Sequence, residues 1–391
     1  MKSFKKVLAL VLVAAMLFTF AACGKNKGDD LSSEFTENNT VYKIGMSGPL
    51  TGGAAVYGVA VKNAAQMAID EINAKGGLDG VKFELLAFDD VHDATKVEDN
   101  YAAMYEDGMQ VSLGCVTSNP CLEFCAFSAE DNVFFLTPSA SNDEVTAEAN
   151  AYQMCFADGN QGAVAAKYVN ELGKDKIGIF YKSDDSYSKG IYDQFKDNLK
   201  GVETVEASFT DGNASDFTQQ ISKLKDCDFI FMPIYYGPAY LFMIQAKDEM
   251  ADNTVYYGCD GFDGIESADG FDINSIPQEV TMLSHFNSKA ESGAAADFVK
   301  KYTEKYGKDT LNQFGASAYD CVYAIYGAMK AAKEDGKEIP ATISASNLCE
   351  ILKEQFQGGY TFSGVTGSDV TWDEDGYVSK AAVKYVIKAA N

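Results

Sequence analysis

The sequence predicts an α/β protein made of two doubly wound parallel-sheet lobes. Three observations predict it. From Val41 onward, short β-branched or aromatic runs alternate with helix-length amphipathic segments. The alternation starts afresh near residue 176, after a first block that ends in a polar stretch. About 350 residues follow Val41, too many for one ordinary hydrophobic core.

The first block opens with a strand over residues 41–45. A helix is expected over 56–74, where Val56, Ala60, Ala64, Met67, Ala68 and Ile72 recur near one face, and Gly76-Gly77 ends it. Strand 82–88, helix 94–106, strand 111–115, a helix from Pro120, strand 133–136 and the polar stretch 137–143 follow. The second block reads as strand 176–181, helix 187–199, strand 202–209, helix 216–224, strand 229–234, helix 239–250 and strand 254–258, which ends at Cys259-Asp260-Gly261. Such repetition builds parallel sheets with helices on both faces. Two helix-rich segments, 294–306 and 316–332, then precede an alternating tail around 370–387. Those helices exceed what the second block needs. The chain is therefore expected to return to the first lobe, with several crossovers forming a hinge.

Ahead of the folded part, Lys2, Lys5 and Lys6 precede an apolar run over residues 7–22. It is shorter than the ~20 residues of a spanning helix and has the pattern of an export signal. The run ends in Phe20-Ala21-Ala22-Cys23-Gly24, similar to the lipobox of bacterial lipoproteins, where the Cys is acylated; the usual Leu three residues before the Cys is Phe20 here. A signal peptide over 1–22, lipid attachment at Cys23 and a flexible tether through residue 40 are expected. The protein would then sit on the outer face of the cytoplasmic membrane.

The formal net charge is −25, and removing residues 1–22 with their three lysines takes it to −28. Such a surface repels nucleic acid and gains nothing from an anionic lipid face. All 32 basic residues are lysines, which excludes an arginine fork as the anchor for a carboxylate or phosphate. Beyond Cys23 lie Cys115, Cys121, Cys125, Cys155, Cys227, Cys259, Cys321 and Cys349. An even count in an exported chain invites disulfides. Several of these residues sit within apolar runs, however, and read as buried free thiols. No CxxC pair or Cys/His spacing suggests zinc, and no cofactor is expected.

Ligands of open parallel sheets lie beyond the carboxyl ends of the strands. The residues to inspect are 47–57, 116–120, 137–142, 183–188, 235–238 and 260–262. Thr117-Ser118-Asn119-Pro120 opens a helix, whose first-turn N–H groups and dipole attract a carboxylate. A plain N-cap explains the same residues. Thr137-Pro138-Ser139-Ala140-Ser141-Asn142 repeats the theme at the next strand end. Asp260 suits an ammonium group through a charge-assisted bond, or forms an ordinary Asp-Gly turn. Tyr187 and Tyr235 offer a hydroxyl and a ring face, or serve as rim or core residues.

Enzymatic signatures are missing. The two histidines are His92 and His285, and His92 lies in Asp89-Asp90-Val91-His92-Asp93, which reads as a solvated acidic loop rather than a metal site. There is no Gly-x-Ser-x-Gly elbow, and the glycine-rich loop over 45–53 matches neither a Walker loop nor GxGxxG.

Taken together, the chain resembles the solute-binding proteins of branched-chain amino-acid ABC importers. The markers are Ile44-Gly45-Met46-Ser47-Gly48-Pro49-Leu50-Thr51-Gly52, then Glu71-Ile72-Asn73-Ala74-Lys75-Gly76-Gly77, Asp89-Asp90, Gly114-Cys115-Val116-Thr117-Ser118, Thr137-Pro138-Ser139-Ala140-Ser141 and Thr371-Trp372-Asp373-Glu374-Asp375-Gly376. The resemblance implies a type I periplasmic-binding-protein fold, a Venus flytrap with three crossovers. On that reading residues 41–158 plus 287–364 form lobe 1, and 159–286 plus 365–391 form lobe 2. It also implies a site. Ser118 and Ser141 would give hydroxyls and Ser139 backbone groups to the ligand's carboxylate, Tyr187 and Tyr235 would come from the closing lobe, and Tyr57 would line the side-chain pocket. The acidic residue for the α-ammonium falls on Asp260, where the best-known members have Glu. Those members also bridge two cysteines in the first lobe, and one of the two positions is His92 here. The implied function is an extracellular receptor that hands an apolar α-amino acid to the permease subunits of the importer, acting as a monomer. Alternatives are a same-fold receptor for an amide, urea, purine or aromatic acid, a ligand-sensing subunit of a signalling system, and a secreted enzyme.

Overall fold

The computed structural model describes residues 31–268 and 270–390. The expected signal peptide and the attachment site at Cys23 lie outside them. Strands β1 (Tyr42–Gly48), β2 (Phe83–Asp89), β3 (Val111–Cys115), β4 (Phe135–Thr137) and β5 (Ala151–Gln153) form a parallel sheet in the order β2-β1-β3-β4-β5. Strands β6 (Lys176–Lys182), β7 (Glu203–Phe209), β8 (Phe229–Met232), β9 (Val255–Gly258), β10 (Glu279–Ser284) and β11 (Val383–Lys388) form the second, in the order β11-β10-β9-β8-β6-β7. It is parallel except for β11, which runs antiparallel to β10.

Both sheets share one logic. The strand that starts each block is flanked by the second and third strands of that block. Each sheet therefore has a topological switch point at the carboxyl ends of these strands, where open α/β sheets bind ligands. The interiors of β1, β3 and β8 are buried on both faces, which suits runs such as Phe229–Met232.

The helices are α1 (Leu31–Thr36), α2 (Ala55–Ala74), α3 (Val97–Glu106), α4 (Ser118–Glu130), α5 (Asp158–Leu172), α6 (Ser186–Asn198), α7 (Thr218–Leu224), α8 (Tyr236–Ala246), α9 (Gly293–Tyr306), α10 (Gln313–Glu334) and α11 (Ala345–Gln357). Helices α9 and α10 pack on α2, and α11 packs on α10 and β3, so the late helices complete the first lobe. The chain crosses between sheets after β5, after β10 and before β11. The fold is thus two doubly wound lobes joined by three crossovers.

Several details differ from the sequence reading. Residues 31–40 are not a tether. Thr36 is buried and donates to Thr342 O at 3.3 Å, and Asn39 Nδ2 donates to Gly108 O at 2.9 Å. Polar composition alone hid these docking bonds. Residues 365–380, expected in lobe 2, pack on lobe 1. Trp372 Nε1 donates to Gln153 O at 2.8 Å, its ring lies 4.4 Å from Phe356, and Gln153 N donates to Gly376 O at 3.0 Å. Helix α4 starts at Ser118, two residues before Pro120, because the first-turn N–H that proline lacks has no intrahelical acceptor anyway. Strands β5 and β10 and helices α5 and α11 had no sequence counterpart. The eight cysteines of the described residues are buried free thiols.

Candidate functional site

The expected ligand residues converge where the two switch points face each other. A small cavity, about 10 Å³, lies there. Lobe 1 lines it with Tyr57, Val116, Thr117, Ser118, Ser139 and Phe314, and lobe 2 with Tyr187, Tyr235 and Asp260. Six of the seven expected residues are present. Ser141 is set back from it, with its hydroxyl facing the carboxyl of Asp158.

The first-lobe wall follows from local chemistry. Thr117 occupies the N-cap position of α4 in extended conformation, but its side chain makes no cap. Its Oγ1 lies 2.8 Å from His92 Nδ1 instead. The N–H groups of Ser118 and Asn119 thus keep the open first-turn geometry that suits a carboxylate. Ser118 Oγ accepts from Asn142 N at 3.3 Å. The hydroxyl of Ser139 donates to Val116 O, and Thr137 Oγ1 donates to Cys115 O at 3.0 Å, so the two strand ends are tied together. Tyr57 stands on the first turn of α2. Gly58 beside it has no alternative, since a Cβ there would stand 2.2 Å from Pro49 O.

The second-lobe wall is a tyrosine stack with a carboxylate behind it. The rings of Tyr187 and Tyr235 lie 4.6 Å apart at 11°. Tyr187 OH donates to Asp260 Oδ1 at 2.7 Å and accepts from Gly261 N at 2.9 Å. A Cβ at Gly261 would meet that hydroxyl at 2.7 Å, so glycine is what admits it. Asp260 N donates to Gln161 Oε1 at 3.0 Å. Asp260 is 1% exposed, and its Oδ2 meets no hydrogen-bond donor among the described residues.

Electrostatics sharpen the picture. Burial pushes the Asp260 carboxyl up to about 6, against the Tyr187 hydrogen bond that favours its charged form. Asp158 is raised well above the usual carboxylate range, first by burial and then by the charge of Asp260. Burial, then Asp260, also raises the Tyr187 phenol, which stays a donor. A buried carboxylate with a spare oxygen is suited to a cationic group. Open helix N–H groups across the cavity suit an anionic one.

The lobes are in contact around this cavity. Tyr57 OH donates to Gly261 O at 2.5 Å and accepts from Tyr236 N at 3.2 Å. Asn119 bonds Asp185 and Ser186 N, and Asn142 Nδ2 donates to Ser186 O at 3.2 Å. The His92 ring meets Tyr235 edge-on at 5.3 Å, and the described residues contain no cluster of three or more His, Cys, Asp or Glu placed to hold a metal ion. Phe314 was missed because its helix was read as starting at Ala316. Asn312, an N-cap residue, was the available signal.

The chain is similar to known binding proteins over most of its length. A family model described as periplasmic binding protein matches residues 41–381. The Leu/Ile/Val-binding protein BraC3 of Rhizobium johnstonii is 31% identical over 322 residues, 77% of this chain and 85% of its own. The leucine-, isoleucine-, valine-, threonine-, and alanine-binding protein of Pseudomonas aeruginosa is 28% identical over 321 residues, 78% of this chain and 83% of its own. The crystal structure of the branched-chain amino acid transporter substrate binding protein LivJ from Streptococcus pneumoniae, in complex with isoleucine, matches with a TM-score of 0.75 at 26% identity, covering 90% of this chain and 96% of that chain.

Proposed function

We propose, from the premise that this chain belongs to the periplasmic binding protein family, that it is the exported receptor of an ABC importer and closes its two lobes around an apolar α-amino acid. The relatives named for leucine, isoleucine and valine support this ligand class. The observation that carries the reading is Asp260. It is a buried carboxylate with one oxygen unmet, in a cavity whose opposite wall offers helix N–H groups and the Ser118 hydroxyl. A zwitterion satisfies both walls at once. With no arginine in the chain, the carboxylate end is held by N–H groups and hydroxyls.

In this reading Ser118, Ser139 and, more distantly, Ser141 serve the ligand's carboxylate. Asp260, oriented by Tyr187, takes the ammonium, while Tyr57, Tyr235 and Phe314 bound the side chain. Residues 41–158 and 287–380 make one lobe, and 159–286 with β11 the other. Closure is the state the permease subunits recognise, since the ligand bridges lobes that part without it. The mature protein is a monomer held to the membrane by lipid on Cys23, and a Cys23→Ala variant should be released into the medium or periplasm.

Isothermal titration of the twenty common amino acids against the purified protein tests the ligand class. Leucine, isoleucine or valine should bind with micromolar affinity or better. Absence of binding by all twenty would falsify the amino-acid reading.

A further inference from the structure

The segment that follows β9 carries Asp260, and three residues later it carries Asp263. These two carboxylates face different things. Asp260 lines the cavity. Asp263 Oδ2 accepts a 2.8 Å hydrogen bond from Gln313 N, the first residue of α10, in the opposite lobe. The helix's own N-cap, Asn312, spends its side chain on Gly315 N at 3.0 Å. The first turn of this 22-residue helix is therefore capped by two side chains, one of them from across the cleft.

Two features make this contact more than incidental. The segment is stiff: residues 260–262 form a 3-10 turn, and Asp263 N donates to Asp260 O at 2.9 Å. Whatever positions Asp260 therefore positions Asp263. The same segment also touches lobe 1 through Gly261 O, which accepts from Tyr57 OH, and through Gly264, where a Cβ would stand 2.9 Å from Val56 Cγ1. Helix α10, for its part, reaches from the cavity to the hinge. Phe314 lines the cavity, Ser317 Oγ lies 2.7 Å from His285 Nε2 in the second crossover, and Asp320 accepts from Thr366 N at 2.8 Å in the third.

We propose that Asp263 is a positioning residue that couples amino-acid capture to lobe closure, by capping the N-terminus of α10 across the cleft when its neighbour Asp260 engages the ligand. This inference rests on the receptor reading above. On opening, both the carboxylate and the helix N–H return to water. On closing they form a hydrogen bond aligned with the helix dipole, although burial raises the Asp263 carboxyl to about 7. The bond contributes only in the closed state, so it slows ligand escape and leaves capture by the open form untouched.

Stopped-flow measurement of binding, with L-leucine or whichever amino acid the titrations select, tests this. Asp263→Ala should raise the dissociation rate constant about tenfold, the order of one such hydrogen bond, with the association rate constant changed less than about twofold. Asp263→Asn keeps an acceptor and should recover part of the loss. The contact itself is tested from the other side. Gln313→Pro removes the N–H donor at a position where proline is tolerated, and the extended backbone of Asn312 suits the residue before it. Asp263→Ala should add almost nothing on the Gln313→Pro background and its full effect on Gln313→Ala, which keeps the N–H. Unchanged dissociation in Asp263→Ala, or full additivity with Gln313→Pro, overturns the proposal. Electron–electron distances between spin labels at the exposed positions Asp99 and Asp197, one on each lobe, read closure directly. Asp263→Ala should move the distribution towards longer distances. A distribution identical to wild type, with and without amino acid, overturns the proposal, whereas failure of the wild type to bind any amino acid sinks the receptor reading and leaves the distance measurement to decide this one.

Discussion

At Asp260, burial and ligand charge act in opposite directions. Burial lifts its carboxyl from 3.8 to about 6. A group whose pKa is raised by folding favours the native state while protonated. Without ligand, the contribution of Asp260 to stability is therefore greater on the acid side, and roughly 3 kcal/mol of it is lost as pH rises from about 4 through 6. An ammonium beside the carboxylate removes that loss. The rise in Tm caused by an amino acid should consequently be largest above about pH 7 and shrink below about pH 6, and Asp260→Asn should flatten the dependence. Equal Tm rises at both ends would take Asp260 away from the ammonium. Tyr187→Phe should weaken binding by about 1–2 kcal/mol in titration, since it strips Asp260 Oδ1 of its donor and leaves Gly261 N without an acceptor. Asp260, Tyr187 and Tyr235 were legible because each follows a strand. Which side of Ser141 faces the cavity was not, because that depends on Asp158, which arrives from the crossover after β5.

Among the elements, α10 does two jobs that its sequence does not advertise. Its apolar residues pack it on α2, as its periodicity predicts, but its polar residues hold the hinge. Lys380 Nζ donates to Met154 O at 2.7 Å and to Thr366 Oγ1 at 2.5 Å, and Thr366 Oγ1 donates to Asp320 Oδ2 at 2.5 Å. The buried cation and the buried carboxylate thus meet through one hydroxyl, and the relay ties the first and third crossovers to α10. Thr366→Val keeps the shape and breaks the relay. Urea unfolding should show a loss of about 2–4 kcal/mol, because two buried charges each lose a partner. A loss below about 0.5 kcal/mol would mean that the relay is incidental. The same non-locality explains which elements were unreadable. β5 is three residues long, and its pairing is set by Phe135 and by the returning Trp372 segment. Helix α11 takes its place from Phe356, whose ring sits 5.0 Å from Phe134 and 5.2 Å from Tyr152, both far away in sequence. Strands and helices with their own period were legible, whereas elements defined by distant partners were not.

For the whole molecule, the dominant electrostatic fact is a net charge of −25 with no arginine. A protein so charged treats different ligands differently during approach. A zwitterionic amino acid carries no net charge and feels little long-range field. A carboxylic acid of the aromatic type is a monoanion and is repelled over roughly the Debye length, about 30 Å at 0.01 M salt and 3 Å at 1 M. Once inside, the two classes differ again, because a monoanion offers nothing to Asp260. Association kinetics therefore report the ligand class without a structure of the complex. For an amino acid, the association rate constant should stay within about twofold between 0.01 M and 1 M sodium chloride. For a monoanion it should rise several-fold as salt screens the protein's field. Stopped-flow tyrosine fluorescence suits the measurement, since Tyr57, Tyr187 and Tyr235 all line the cavity. A steep rise with salt for the tightest ligand found would displace the zwitterion from the site, whatever its affinity.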